Sequence, residues 1–290
     1  VASTGVIGKP LPVDRIAAAC PALAAALSSE GWPAFSRAIM TTDTVAKMSS
    51  RKIRTSDGEC TIIAAAKGVG MLRPDMATML CFAATDAEAS HDTLQAMLQR
   101  ASDASFNRIT VDGDTSTNDT VILMADGASG VSVERAGVGK IFQEALNELF
   151  IDLAKQMVRD GEGATKLVEV RVEGASSLQD ARRAAETVAD SSLVKTALFG
   201  EDANWGRIMA ALGRSGAEVA PEKVDITFDE VFLVRGGQWA GEDAEASATR
   251  VMKQNEFTIR VDLHLGEGAD HVWTCDFSVD YVKINADYRT

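Results

Sequence analysis

The chain has 290 residues, 46% of them hydrophobic and 24% charged, with a formal net charge of −13. That length supports one large domain or two of ordinary size, and the composition is that of a soluble globular protein. The acidic balance argues against nucleic acid and against an anionic membrane surface as partners, and no apolar run reaches membrane-spanning length. An anionic substrate would have to be met by local cations or backbone N–H groups. Cys20, Cys60, Cys81 and Cys275 are widely spaced, without a paired motif. They suit free thiols in a reducing cytosol, so a cytoplasmic location is expected. Three scattered histidines give no metal signature. The sequence opens at Val1 without a methionine, and a preceding segment, including any targeting signal, is expected.

Residues 1–8 read as a strand end and a turn, where Thr4 and Gly5 set a hydroxyl beside a glycine N–H. Residues 14–29 are Ala-rich and helical, with Ile16, Cys20, Leu23 and Leu27 on one face and Pro21 as a kink. Gly31-Trp32-Pro33 breaks that helix, and a short one follows to Ile39. Thr41-Thr42-Asp43-Thr44 is a polar cap or loop. Residues 53–66 predict a hairpin around Ser56-Asp57-Gly58. Its second strand runs into the stretch that organises the chain, Ala66-Lys67-Gly68-Val69-Gly70-Met71-Leu72-Arg73-Pro74-Asp75-Met76-Ala77-Thr78-Met79-Leu80, where two glycines and a proline require a tight loop.

A strand over 79–85 follows, and then a helix capped by Ser90 with Leu94, Met97, Leu98 and Ala101 inward. Residues 109–111 are extended and Asp112-Gly113-Asp114 turns. Residues 112–119 hold three carboxylates but lack the ligand register of a calcium loop; they read as a turn whose side chains cap neighbouring backbone. Residues 120–125 predict a buried strand. Residues 141–157 are the strongest helix, with Ile141, Ala145, Leu149, Leu153 and Met157 recurring every four residues beside Phe142, Leu146 and Phe150. Gly161 closes it, leaving Glu162 between two glycines, exposed and free to point. A strand over 167–172 follows, then a helix capped by Ser177 or Ser176, and further helices over 193–199 and 205–212. Strands alternate over 224–228, 257–265 and 273–281, with a helix over 242–253 between the first two. The expected organisation is a main lobe over 1–164, a smaller α/β lobe over 165–283 and a polar tail over 284–290.

Thr78 admits two readings on residues alone. As a β-branched residue it opens a strand. Alternatively, its hydroxyl attacks the carbonyl of Ala77, and an N→O acyl shift cuts the chain. The freed α-amino group, with a reference pKa of about 7.7–8.0, can then serve as base to the hydroxyl on the same residue.

The stretch around Thr78 resembles the self-cleavage segment of the ornithine acetyltransferases, the glutamate N-acetyltransferases of arginine biosynthesis. The family pattern is Lys-Gly-x-Gly-Met-Ile/Leu-x-Pro-Asn-x-Ala-Thr-Met-Leu, cut between the Ala and the Thr. Asp75 stands here where Asn is common. Other blocks agree in order along the whole chain: Ser3-Thr4-Gly5-Val6-Ile7-Gly8, Thr41-Thr42-Asp43-Thr44, Ser116-Thr117-Asn118-Asp119-Thr120, Asp160-Gly161-Glu162-Gly163-Ala164-Thr165-Lys166, Asn204-Trp205-Gly206-Arg207 and Ile284-Asn285-Ala286-Asp287-Tyr288-Arg289-Thr290. Family members carry a sizeable segment before the block that begins this chain.

The resemblance implies an α/β fold, a layered αββα-type sandwich of the self-processing kind with a second, smaller α/β lobe and a C-terminal tail that returns to the active site. It implies ping-pong transfer of acetyl from N2-acetyl-L-ornithine to L-glutamate through an acetyl-threonine, after autocleavage between Ala77 and Thr78. Thr78 would be the nucleophile, with the Thr4 hydroxyl and Gly5 N–H as oxyanion hole. Thr41, Lys67, Thr78, Glu162, Asn285 and Thr290 would bind substrate. That assignment makes chemical sense: an α-carboxylate suits an ammonium such as Lys67, and the ornithine side-chain ammonium suits a carboxylate such as Glu162. Arg73, the other cation of the stretch, reads as a solvated loop residue. No metal or cofactor is implied, although acetyl-CoA serves some family members as an alternative donor. The two fragments would stay together as a heterodimer and assemble further. Two other readings stay open. One is a threonine-nucleophile amidase or aminopeptidase with water as acceptor, distinguished by whether glutamate speeds turnover of acetylornithine. The other is a metabolite-binding or scaffolding protein that never cuts itself, distinguished by intact mass.

Overall fold

Two β-sheets carry the chain in this computed structural model, which describes residues 2–73 and 79–287. Ala77, Thr78 and Thr290 lie outside the described residues. Helices α1 (Val13–Ala25) and α2 (Trp32–Ala38) precede strands β1 (Lys47–Thr55), β2 (Gly58–Lys67) and β3 (Leu80–Thr85). Helix α3 (His91–Asp103), strands β4 (Ile109–Thr110) and β5 (Thr120–Ala125) and the long helix α4 (Val138–Arg159) follow. The remainder runs β6 (Leu167–Ala175), α5 (Leu178–Ala189), α6 (Ser192–Phe199), α7 (Trp205–Gly213), β7 (Asp225–Phe228), β8 (Val231–Arg235), β9 (Gln238–Trp239), α8 (Glu242–Met252), β10 (Glu256–Asp262), β11 (Gly268–Cys275) and α9 (Val279–Asp287).

The first sheet has the order β1-β2-β3-β5. The expected hairpin forms, with Thr55 opposite Gly58, whose φ of 137° suits a residue without a side chain. The β2–β3 ladder sets Lys67 opposite Leu80, and β5 runs parallel to β3 with Thr120 opposite Leu80. Strand β5 is the edge of this sheet, so only Leu123 of it is buried rather than the whole strand. Helix α2 packs on β1 and β2, and α4 packs on the same strands and reaches β6 and β11 of the second sheet.

The buried face of α4 is Phe142, Leu146, Leu149, Phe150, Leu153 and Met157, while Ile141 is 44% exposed. The four-residue stripe fails at its start for a geometric reason. At 3.6 residues per turn a strict i, i+4 line drifts by about 40° per step, so only its later members reach the core. The expected inward face of α1 does not enter the core: no residue of that helix is buried, and Cys20 is exposed whereas the other three cysteines are buried. Among the described residues no strand forms before it, only a turn at Ile7 and Gly8.

The second sheet has the order β4-β11-β6-β10-β7-β8-β9. Helix α5, capped by the Ser177 hydroxyl on Asp180 N, covers β6 and β11, and α8 covers β7 and β8. Strand β4 pairs Ile109 and Thr110 with Trp273 and Thr274, so the chain before residue 165 supplies a strand to this sheet. Strands β8 and β9, which the sequence reading missed, turn on Gly236 and Gly237, both with positive φ.

The alternation over 273–281 does not continue as a strand. It ends at Cys275, the Ser278 hydroxyl accepts Asp280 N and Tyr281 N, and α9 begins. Phe277 and Tyr281, four residues apart, stack with ring centroids at 4.6 Å. The stretch read as a polar tail therefore belongs, as far as Asp287, to a helix. Among the described residues no helix is long and apolar enough to cross a membrane.

The α4 register gives a direct test. Phe142→Ala is expected to cost about 3–5 kcal/mol in urea unfolding, and Ile141→Ala about 0.5 kcal/mol. The reverse ranking would restore the four-residue stripe as the core face.

Candidate active site

A cleft of about 500 Å³ opens where six parts of the chain meet. Thr4 and Gly5 line it from the N-terminal segment, Thr41 and Thr42 from the loop after α2, and Lys67 to Met71 from the end of β2. The loop of residues 112–118, Glu162 just past α4, and Tyr281 and Asn285 on α9 complete it. Thr4, Gly5, Thr41, Lys67, Glu162 and Asn285, far apart in sequence, thus share one cleft.

Lys67 is 1% exposed, yet its ammonium is not isolated. Nζ donates to Thr4 Oγ1 and, at 3.5 Å, to Thr41 Oγ1. Burial lowers its pKa, against the opposing pull of Asp43 and Asp119. Asp43 organises the floor beside it, accepting Thr41 N at 3.1 Å, Gly68 N at 3.0 Å and Lys47 Nζ at 2.7 Å. Burial acts to raise the Asp43 pKa, but the hydrogen bonds from Lys47 and Gly68 outweigh it, and the net direction is down. Lys47, fully buried, also reaches Asp160 at 2.5 Å, the residue that ends α4 and accepts Thr44 N.

Glu162 departs from its expected exposure: it is 9% exposed and fully engaged. Oε1 accepts the Thr42 hydroxyl and Oε2 accepts Asn285 Nδ2, both at 2.9 Å, while its N–H donates to Val69 O. Two glycines permit this. A Cβ on Gly70 would stand 2.8 Å from the Glu162 carboxyl, and one on Gly163, whose φ is +69°, would stand 2.5 Å from Tyr281 N. Bare backbone at these positions lets the carboxylate and α9 close on the cleft.

The carboxylates of 112–119 do cap backbone, as expected. Asp112 accepts Met71 N at 2.6 Å and Leu72 N at 3.0 Å, and Asp119 accepts Met79 N at 2.7 Å. Burial pushes the Tyr281 phenol up, and Asp112 and Glu162 add to the shift. Arg73 stays outside the cleft, half exposed beside Asp190 at 3.5 Å. Thr42, Asp43, Lys47 and Tyr281 were not singled out for the site from the sequence. Thr42 and Asp43 sat in the polar block 41–44, and Lys47, four residues after Asp43, was the available signal for their pairing.

The ArgJ family profile matches residues 1–290. The arginine biosynthesis bifunctional protein ArgJ of Geobacter sulfurreducens is 54% identical over 292 residues, covering 100% of this chain and 74% of its own. The chain belongs to the ArgJ family. The same-named protein of Symbiobacterium thermophilum is 51% identical, again over 100% of this chain and 72% of its own. A crystal structure of arginine biosynthesis bifunctional protein ArgJ from Bacillus halodurans is 44% identical with a TM-score of 0.66, covering 70% of this chain and 96% of that one.

In this member of the ArgJ family, the cleft floor is tied to a buried ion triad, and that dependence is measurable. Lys47→Met would leave Asp43 and Asp160 buried without their cation, and unfolding should show a loss of about 3–5 kcal/mol. Because the Asp43 pKa is depressed in the fold, its contribution is complete above the unfolded value of about 3.9 and is lost as pH falls through the lower native value. The stability difference between wild type and Lys47→Met should therefore narrow on acidification; a gap independent of pH would separate Asp43 from Lys47.

Proposed function

We propose that the chain transfers the acetyl group of N2-acetyl-L-ornithine to L-glutamate in arginine biosynthesis, through an acetyl-threonine at Thr78 released by a cut after Ala77. The observation that carries this reading is one cleft holding a buried ammonium, Lys67, and a buried carboxylate, Glu162, with Thr4 and Gly5 on its wall. An amino acid that bears a distal ammonium finds a partner for each of its charges there.

The chemistry follows from donors and acceptors. The freed amine of Thr78 takes the proton of the Thr78 hydroxyl as Oγ1 attacks the acetyl carbonyl. Thr4 accepts a hydrogen bond from Lys67, so its own O–H remains to donate to the developing oxyanion beside the Gly5 N–H. The Thr78 ammonium returns that proton to the ornithine nitrogen as the carbon–nitrogen bond breaks, and ornithine leaves as the amine. The amine of glutamate then attacks the acetyl-threonine, and the same oxyanion site serves the second half-reaction. Thr41 joins Lys67 at the α-carboxylate; Glu162, with Asn285, faces the distal ammonium; Thr290 adds a donor to the carboxylate side. These steps use only protein groups and the two substrates, with no metal or organic cofactor. The two fragments remain together as a heterodimer that assembles further, and acetyl-CoA is a second candidate donor to assay beside acetylornithine.

The deciding experiment is mass spectrometry of the protein before and after acetylornithine. A fragment beginning at Thr78 should appear and gain one acetyl group, which glutamate discharges faster than water does; discharge by water alone would favour the amidase reading. Thr78→Ala should remain one chain. Thr4→Ala, if the hole is as described, should lower kcat by about 10²–10³.

Substrate choice is tested at Glu162. Glu162→Gln should weaken acetylation by acetylornithine by about 1.5–3 kcal/mol, the usual worth of a hydrogen bond to a charged group. Discharge to glutamate should suffer less, because a repelling carboxylate has also gone. Equal losses in both single-turnover steps would remove Glu162 from the ornithine end.

A further inference from the structure

The amine that acts as base in the finished enzyme does not exist while residue 78 is held in a peptide bond. The cut itself therefore needs a proton acceptor from elsewhere in the chain. Asp119 stands beside Met79, the residue that follows Thr78 in the chain. The parallel register of β3 and β5 sets Thr120 opposite Leu80, which brings Asp119 alongside Met79. Asp119 Oδ1 accepts Met79 N at 2.7 Å, and Thr120 N donates to Met79 O at 3.0 Å, so consecutive residues hold both backbone polar groups of Met79. Met79 N is the nitrogen of the peptide bond that joins it to Thr78.

The second carboxylate oxygen distinguishes Asp119 from an ordinary capping residue. Asp112 spends both oxygens on backbone, one on Met71 N and the other on Leu72 N. Asp119 Oδ2 is buried and has no hydrogen-bond partner among the described residues. A buried unpaired carboxylate oxygen is costly and calls for a reason. The charged group facing it is Lys67 on β2, opposite Leu80 in the ladder, with Asp43 and Lys47 in turn acting on Lys67.

We propose that Asp119 is the proton acceptor for the cut between Ala77 and Thr78. This rests on the reading of Thr78 as nucleophile. Oδ2 takes the proton of the Thr78 hydroxyl as Oγ1 bonds to the Ala77 carbonyl carbon. When the carbon–nitrogen bond breaks, the protonated carboxyl returns that proton to the departing Thr78 nitrogen. An ester between Ala77 and the Thr78 oxygen remains, and water hydrolyses it to the Ala77 carboxylate and the free Thr78 hydroxyl. Burial pushes Asp119 up to about 6, against the Met79 N–H and Lys67, which pull it down. The carboxylate is then ionised at neutral pH yet basic enough to accept a proton.

The test follows cutting in full chains made by cell-free translation, for wild type, Asp119→Asn, Asp119→Glu and Thr78→Ala, across about pH 5 to 8. Wild-type cutting should rise with pH through about 6 and level off, because the active form is the ionised one. Asp119→Asn keeps an acceptor for Met79 N but should cut about 10²–10⁴-fold more slowly and lose the rise, and Asp119→Glu should recover part of the rate. Cutting of Asp119→Asn within a few-fold of wild type, or with the wild-type pH profile, would overturn the proposal. Thermal melting against uncut Thr78→Ala checks that Asp119→Asn folds; if it does not, a wild-type profile without an inflection near 6 overturns the proposal instead. Thr78→Ala separates the two claims. Cutting that persists there defeats the nucleophile reading, whereas a block there beside unimpaired Asp119→Asn defeats Asp119 alone.

Discussion

One buried ammonium sets much of the geometry around the cleft. Lys47 is wholly inside the protein, between Asp43 four residues on one side in sequence and Asp160 at the far end of α4. Removing three charged groups from water is expensive, and such a cluster persists only where the remaining lone pairs are also satisfied. Here they are. The oxygens of Asp43 accept Thr41 N and Gly68 N, and those of Asp160 accept the backbone and hydroxyl of Thr44. The same bonds that make the cluster tolerable fix Thr41, the residue after Lys67, and the helix end two residues before Glu162. Cleft geometry and cluster satisfaction are one constraint.

The acidic wall of the cleft depends on missing side chains. Gly70 leaves space that the Glu162 carboxyl occupies, and Gly163 lets α9 approach until Asn285 Nδ2 reaches Glu162. In a chain of net charge −13, a buried carboxylate facing a cleft would repel an anionic substrate unless it were balanced nearby. Lys67 supplies that balance, and Asp43 and Asp119 in turn resist the loss of its charge on burial. The cleft is therefore locally mixed in sign although the protein is strongly acidic.

Local signals in the sequence led to the right local structures. Ser56-Asp57-Gly58 gives the β1–β2 hairpin, Ser90 and Ser177 cap α3 and α5, and Asp112 and Asp119 cap backbone. What failed depended on distant partners or on a competing period. Trp273 to Tyr281 alternates like a strand, but Phe277 and Tyr281 also have helical spacing, and the Ser278 cap decides for α9. Glu162 could not be read as buried, because the space that receives it lies at Gly70. The pairing of Lys47 with Asp160 spans most of the first half of the chain and leaves no periodic trace. Thr4, Thr41, Lys67, Glu162 and Asn285 were legible through motif resemblance rather than through any pattern of burial, since their types suit ordinary loops as well.

Under the proposed function, the donors of Lys67 would let one residue serve both half-reactions. An ammonium has three N–H groups. Among the described residues Thr4 and Thr41 each accept one, which leaves one for an incoming carboxylate. Residues 2–6 form no strand, so this bond from Lys67 also helps to hold Thr4 in place. A carboxylate bound to the third donor would then sit beside Thr4, the proposed oxyanion donor. Acetylornithine and glutamate are alike at that end, each with its α-carboxylate one carbon from the nitrogen that gains or loses the acetyl group. Anchoring either by the carboxylate brings its nitrogen to the same place, and preorganised placement of this kind is a large part of catalysis. The proposed substrates differ in charge at the far end, where one carries an ammonium and the other a carboxylate, and the proposed partner of that end is Glu162, held by Thr42 and Asn285.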